Sequence, residues 1–173
     1  DPDCRLLSLI GPGGMGKTRL AIEVGLQQAE KFRHGVRFVG LAPLNAVDLL
    51  VPAIAEALNF AFFNNDDPKA QLLNYLQEKE LLLILDNFEH LLEGADLVSE
   101  ILATAPQVKI LVTTREALNL WEEWNRPLRG MSSPQEGAAI NPEEYGALQL
   151  FASRAKRVRS NFDLIADLPH VIR

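Results

Sequence analysis

A mostly apolar stretch, Cys4 to Ile10, runs directly into Gly11-Pro12-Gly13-Gly14-Met15-Gly16-Lys17-Thr18, and that loop runs directly into the amphipathic stretch Lys17 to Phe32. A buried strand, a glycine-rich turn and a helix in immediate succession leave the chain few folds to choose from. The strand must lie inside a sheet and the helix must pack back across it, which is the opening unit of an α/β protein.

The rest of the chain repeats that alternation. Val36 to Gly40 reads as a second strand, and a helix lies within Asp48 to Leu58 with Leu50, Ile54, Ala57 and Leu58 on one face; Pro52 falls near its first turn. Asn64-Asn65-Asp66-Asp67-Pro68 is a turn cluster, Lys69 to Lys79 a helix and Leu81 to Leu85 a strand. Glu89 to Thr104 follows as one helix with Leu91, Leu92, Ala95, Val98 and Leu102 on its apolar face, and Val108 to Thr113 as a fourth strand. Strands separated by helices imply parallel pairing, and strands covered on both faces read as unbroken apolar runs. Trp124 to Leu128 suits an edge strand, the place where Pro127 is tolerated.

Three segments are expected: an α/β domain over residues 1–131, a linker over 132–140, and the start of a helical unit over 141–173. In the last, Asn141, Pro142 and Glu144 stand at N-cap, N1 and N3 spacing, and Leu148, Phe151, Ala152 and Ala155 form an apolar stripe. The opening Asp1-Pro2-Asp3 is acidic and polar, without the look of a signal peptide, and the chain reads as a piece of a longer protein. Its 173 residues are 47% hydrophobic and 23% charged, and 17 basic against 23 acidic residues give a net charge of −6. That balance argues against a dedicated DNA-coating or membrane-surface module. The one cysteine, Cys4, excludes an internal disulfide and suits a reducing, cytoplasmic setting. No aliphatic run approaches the ~20 residues of a bilayer span.

The glycine-rich loop matches G-x-x-x-x-G-K-[ST] at every fixed position. Consecutive backbone N–H groups ending at a helix N-terminus offer fixed dipoles to the dense negative charge of nucleotide phosphates. Gly11, Gly13, Gly14, Met15, Gly16, Lys17, Thr18 and Arg19 are therefore the candidate phosphate contacts. Lys17 would reach the outer phosphates, and the Thr18 hydroxyl would bind Mg²⁺.

Asp86 ends the run Leu81-Leu82-Leu83-Ile84-Leu85, at the sheet edge where α/β proteins bind ligands, and pairs with Thr18 as a candidate Mg²⁺ group. Asn87 stands where many hydrolytic relatives of this loop place a water-orienting acid. An amide cannot take that proton, which points to slow hydrolysis. Glu89 is either its substitute or an acid favoured in a helix's first turn. Arg115 closes the strand Lys109 to Thr113 and is either a terminal-phosphate contact or a surface arginine. His90 reads as a surface or helix-start residue. The basic run Arg154 to Arg159 lacks interleaved aromatics and reads as a solvated helix face.

The segments GPGGMGKTRLA, LLLILDNFEHLL, ILVTTREALNL and LQLFASRAKRV, in this order and spacing, resemble the bacterial branch of the STAND signalling ATPases, the NB-ARC-like regulators. The resemblance spans nearly the whole chain, and its D-N-x-E-H and T-T-R-E-x-L pieces are more specific than the phosphate loop. It implies a P-loop NTPase three-layer sandwich, with a mostly parallel five-stranded sheet in the order 5-1-4-3-2. It also implies an ATP/ADP switch with Mg²⁺, in which Lys17 and Thr18 bind phosphate and metal, Asp86 is the Walker B acid and Arg115 senses the γ-phosphate. Such a switch is a slow ATPase fused to effector and sensor domains, and reaches DNA only through a fused domain. The family's adenine-packing upstream segment and its downstream winged-helix portion are not seen in these residues, so weak base discrimination and a monomeric state are expected. A non-hydrolysing scaffold and a turnover ATPase are the competing readings. The absence of an L-S-G-G-Q run disfavours a transporter, and the absence of N-K-x-D disfavours a GTPase.

Overall fold

The computed structural model describes residues 3–64, 66–130, 132, 141 and 144–164. The chain divides into two compact units, Asp1–Leu128 and Arg129–Arg173.

In the first unit the elements run β1 (Leu6–Ile10), α1 (Lys17–Gln28), β2 (Val36–Gly40), α2 (Leu50–Ala57), α3 (Pro68–Leu76), β3 (Leu81–Asp86), α4 (Ala95–Thr104), β4 (Val108–Thr114) and β5 (Glu123–Pro127). The five strands form one sheet in the order β2-β3-β4-β1-β5, every pair parallel. This is the P-loop NTPase order expected above, read from the opposite edge. The central β3 is buried at all six positions, as its unbroken aliphatic run requires. At the edge, β5 is mostly exposed and carries Pro127 as its last residue. Leu128 continues the pairing by donating from its backbone N–H to Ile10 O at 2.7 Å.

Alternation along the strands sorts the apolar residues into two layers. Leu6, Leu81, Leu83, Leu85, Val108, Ile110 and Val112 share one large cluster with Leu50 and Ile54 of α2, Leu72 and Leu76 of α3, and Val98, Ile101 and Leu102 of α4. On the other face Leu9, Leu82, Ile84 and Leu111 meet Ala21 of α1 in a smaller cluster. Gly25 brings α1 close to the sheet: a Cβ there would lie 2.8 Å from Ile84 Cδ1 and 3.3 Å from Val36 Cγ1.

Several boundaries differ from the sequence reading. The expected single helix from Glu89 to Thr104 is two 3₁₀ turns, Phe88–His90 and Leu92–Gly94, followed by α4. Phe88 is fully buried, Asn87 sits at φ 69°, and Leu91 and Gly94 donate to the carbonyls three residues back, so the chain turns tightly before the α-helix forms. Helix α1 ends at Gln28 and a 3₁₀ turn, Ala29–Lys31, carries the chain to the half-buried Phe32. In α2 the buried residues are Leu50, Ile54 and Ala55, with Leu58 just beyond, and Ala57 is half-buried. Helix α3 takes Asp67 and Pro68 from the expected turn: Asp67 accepts from Lys69 N at 3.0 Å as N-cap, and Pro68 occupies the first turn.

The second unit contains α5 (Gly146–Val158), whose N-cap is the extended Tyr145 rather than Asn141. Asn141 Nδ2 instead donates to Glu144 Oε1 at 3.0 Å, while Pro142, Glu143 and most of the expected linker 132–140 lie outside the described residues. Leu148 is buried, and Phe151 meets Phe162 edge to face at 5.7 Å. No described helix is long and apolar enough to cross a membrane.

Candidate nucleotide-phosphate site

Parallel register brings the ends of β1, β3 and β4 level. Ile10 stands opposite Thr114 and Leu85 opposite Val112, so the glycine loop, Asp86 and Arg115 emerge at one sheet edge. Gly11 donates to Thr114 O at 3.2 Å and ties the start of the loop to β4. Gly14 and Gly16 have φ of 78° and 82°, a left-handed geometry that a side chain would strain. Gly16 is also the N-cap of α1 and supplies no side-chain cap, so the helix's leading N–H groups face the loop.

Lys17 is only 8% exposed. Its ammonium donates to Gly11 O at 2.6 Å and Pro12 O at 3.0 Å, held by the loop it serves. The cleft above it has a volume of about 640 Å³. Its walls are Gly13 to Arg19, Ile22 and Glu23 from the α1 side, and Asn87, Glu89, Thr113 and Arg115 from the ends of β3 and β4. Gly11 is not among the lining residues; its role here is to hold Lys17.

Asp86 is 8% exposed and also stands behind the lining, under Thr113 and Asn87. Thr113 Oγ1 donates to Asp86 Oδ1 at 2.6 Å and accepts from Asn87 N at 2.9 Å. The buried Thr113 is therefore the hub of the acidic side. The sequence reading assigned no role to Thr113.

Glu89 does not occupy the first turn of a long helix. It sits in the 3₁₀ turn after Asn87 and accepts from Arg115 Nε at 2.8 Å. Its side chain is 13% exposed against 64% for Arg115, and its second oxygen is buried without a hydrogen-bond partner.

His90 is likewise more than a surface residue. Its Nε2 lies 3.2 Å from Leu41 O and 3.0 Å from Leu44 O, and its Nδ1 lies 3.4 Å from Asn87 Nδ2. Carbonyls only accept, so Nε2 carries the proton and Nδ1 is the acceptor facing Asn87. Among the described residues no group of His, Cys, Asp and Glu has the arrangement of a metal cluster. The basic residues Arg154, Lys156, Arg157 and Arg159 are exposed.

Comparison with known proteins places this geometry. The AAA domain family profile matches residues 2–120. The "Putative HTH-type transcriptional regulator Rv0890c" of Mycobacterium tuberculosis is 35% identical over 161 residues, which are 92% of this chain and 17% of that protein. The "Uncharacterized protein Rv0894" of the same organism is 33% identical over 168 residues, 95% of this chain and 40% of that protein. The chain thus spans less than half the length of the curated relatives it matches. Among solved structures, Drosophila ORC bound to AT-rich DNA and Cdc6 aligns with 88% of this chain and 58% of that chain, at a TM-score of 0.52 and 12% identity. The complex with GC-rich DNA aligns with 94% of this chain and 60% of that chain, at 0.51 and 15%. At such identities the likeness is one of fold. With a family profile over most of its length and a glycine loop, buried lysine and strand-end acid at one sheet edge, the chain belongs to the AAA domain family, the nucleotide-binding P-loop ATPase domains.

Proposed function

We propose that this domain is the ATP/ADP-binding switch of a STAND-type signalling or transcriptional regulator, and that it hydrolyses ATP slowly with Mg²⁺. One observation carries the reading. The cleft joins a phosphate-binding loop to a Glu89–Arg115 pair on the opposite wall, so one side holds the phosphates and the other meets their outer end. The name of the mycobacterial relative, and the resemblance of D-N-x-E-H and T-T-R-E-x-L to the STAND ATPases, support a regulator.

The residues fit a Mg–nucleotide. The α1 N-terminus and the left-handed Gly14 and Gly16 offer backbone N–H groups to phosphate oxygens. Lys17 would exchange its loop carbonyls for the outer phosphates. Thr18 lines the cleft and would hold the ion, and Asp86, with one oxygen on Thr113, would bind the ion's water shell from the strand end. Mg²⁺, when bound, neutralises phosphate charge. Arg115 meets the terminal phosphate. Glu89, on the cleft wall, would orient the attacking water, and Asn87 occupies the neighbouring position without being able to take a proton. That division of labour gives a turnover of ~10⁻⁴ to 10⁻² s⁻¹, as in switch NTPases without an assisting partner.

The partners of such a switch are fused effector and sensor domains. DNA is reached only through one of these, in the cytoplasm, and the present chain by itself is monomeric. Phosphate release from Mg-ATP, followed over hours with a longer form of the protein, decides between the switch and a non-hydrolysing scaffold. Release at the rate of buffer would establish the scaffold.

A further inference from the structure

We propose that Glu89 is a positioning residue: it fixes Arg115 over the phosphate loop and so sets the preference of the site for a triphosphate over a diphosphate. This rests on the reading of the cleft as a nucleotide site.

Arg115 leaves the end of β4 with 64% of its side chain exposed, and a free arginine at such a place has rotamer entropy to lose on ordering. Glu89 is the opposite kind of residue. It is 13% exposed, on a short 3₁₀ turn anchored by the fully buried Phe88. The 2.8 Å bond from Arg115 Nε to Glu89 Oε1 ties the mobile cation to this fixed point. It uses the one guanidinium nitrogen that is not part of the terminal fork. One arm of the fork is turned to the loop: Nη2 lies 3.7 Å from where a Cβ on Gly13 would stand. Two N–H groups in that orientation suit bidentate contact with a phosphate.

The phosphate that Arg115 meets is the outermost. The loop N–H groups and Lys17 hold the phosphates from the α1 side, Lys17 reaching the outer ones, and Arg115 comes to the last of them from the other wall. A diphosphate lacks that group. The pair therefore reads the difference between the two nucleotides, and reads it only while Glu89 holds the guanidinium in place.

The second carboxylate oxygen, Oε2, is buried without a hydrogen-bond partner, so Glu89 engages Arg115 through Oε1 alone. The rival arrangement is a lock, in which Glu89 competes with the phosphate for Arg115. It predicts the opposite sign, because removing Glu89 would then strengthen triphosphate binding.

The test is calorimetry on the 173-residue chain with Mg²⁺, titrating ADP and a non-hydrolysable ATP analogue into the wild type, Glu89→Ala, Glu89→Gln, Arg115→Ala and the double alanine variant. Melting temperatures show that each variant is folded. The wild type should prefer the triphosphate. Glu89→Ala and Arg115→Ala should each lower that preference about tenfold, and the double variant no further than either, as for two residues acting as one unit. Glu89→Gln should retain it within about twofold, because the glutamine oxygen still accepts from Nε. An unchanged preference in Glu89→Ala, a strengthened one, or Glu89→Gln behaving like Glu89→Ala would each overturn the proposal. A wild type that binds neither nucleotide would instead bring down the nucleotide reading beneath it.

Discussion

The two walls of the cleft are built by different means. The loop wall is local: eight consecutive residues, two left-handed glycines and a lysine that folds back onto carbonyls five and six residues before it. The acidic wall is assembled at a distance. Thr113 reaches Asp86 across 27 positions, and Arg115 reaches Glu89 across 26. A local wall survives as long as its few residues keep their backbone geometry. An assembled wall depends on the register of β3 against β4, and shares in the stability of the whole sheet. The difference predicts that changes to the loop wall act chiefly on binding, whereas changes to the acidic wall also reach folding.

The largest effect is expected from Lys17→Ala. It removes the buried cation of the loop wall, and charged hydrogen bonds of this kind are worth about 1.5–3 kcal/mol each. Affinity for ATP and ADP should fall about a hundredfold or more by calorimetry. Binding like that of the wild type would mean that the loop wall is not the phosphate site at all.

Thr113→Val sharpens the contrast. It conserves shape but removes the oxygen that donates to Asp86 and accepts from Asn87 N, at a site only 1% exposed. Leaving buried partners unsatisfied should cost about 1–3 kcal/mol in urea unfolding, with Mg-free ADP affinity little changed. A variant as stable as the wild type would show that the acidic wall is not held together at Thr113.

That contrast also explains what the sequence could disclose. The loop, the strand that feeds it and the aliphatic β3 and β4 were legible because each signal is contiguous: fixed glycine spacing, or a run of residues buried on both faces. The parallel pairing followed from strand–helix alternation. The order of the strands came only with the resemblance to STAND ATPases, since no spacing encodes it. The segment after Asp86 misled for a physical reason. Leu91, Leu92, Ala95 and Val98 recur at helical spacing, yet the buried Phe88 and left-handed Asn87 force two 3₁₀ turns before the helix begins. The partners of Glu89 and His90 were hidden for the same reason as the hub at Thr113, because each is set by the ends of different strands meeting in space.

Asp86→Ala tests the acidic wall at its metal-facing group. Asp86 stands behind the lining and acts on the nucleotide through an ion and its water rather than by contact. The gain in ATP affinity on adding Mg²⁺ should fall about tenfold, or about 1.4 kcal/mol, while Mg-free ADP affinity stays within about threefold. Equal losses with and without Mg²⁺ would place Asp86 in the architecture of the wall and not beside the ion.

The smallest effect concerns the base. Telling adenine from guanine requires hydrogen-bonding groups set against the ring edge, and a site built that way rejects the wrong partner strongly. The described lining is directed at phosphate. Met15 and Ile22 are its large apolar members, and neither can distinguish an amino group from a keto group. Glu23, the one acid on the α1 side, accepts from Gln27 Nε2 at 2.9 Å. The 173-residue chain should therefore bind ADP and GDP with affinities within about tenfold of each other, less than about 1.4 kcal/mol. Parallel titrations of the two diphosphates decide it. Submicromolar ADP binding with a preference well beyond tenfold would mean that both walls serve a base-recognition element within these residues, and the division of the cleft into two phosphate-directed walls would have to be redrawn.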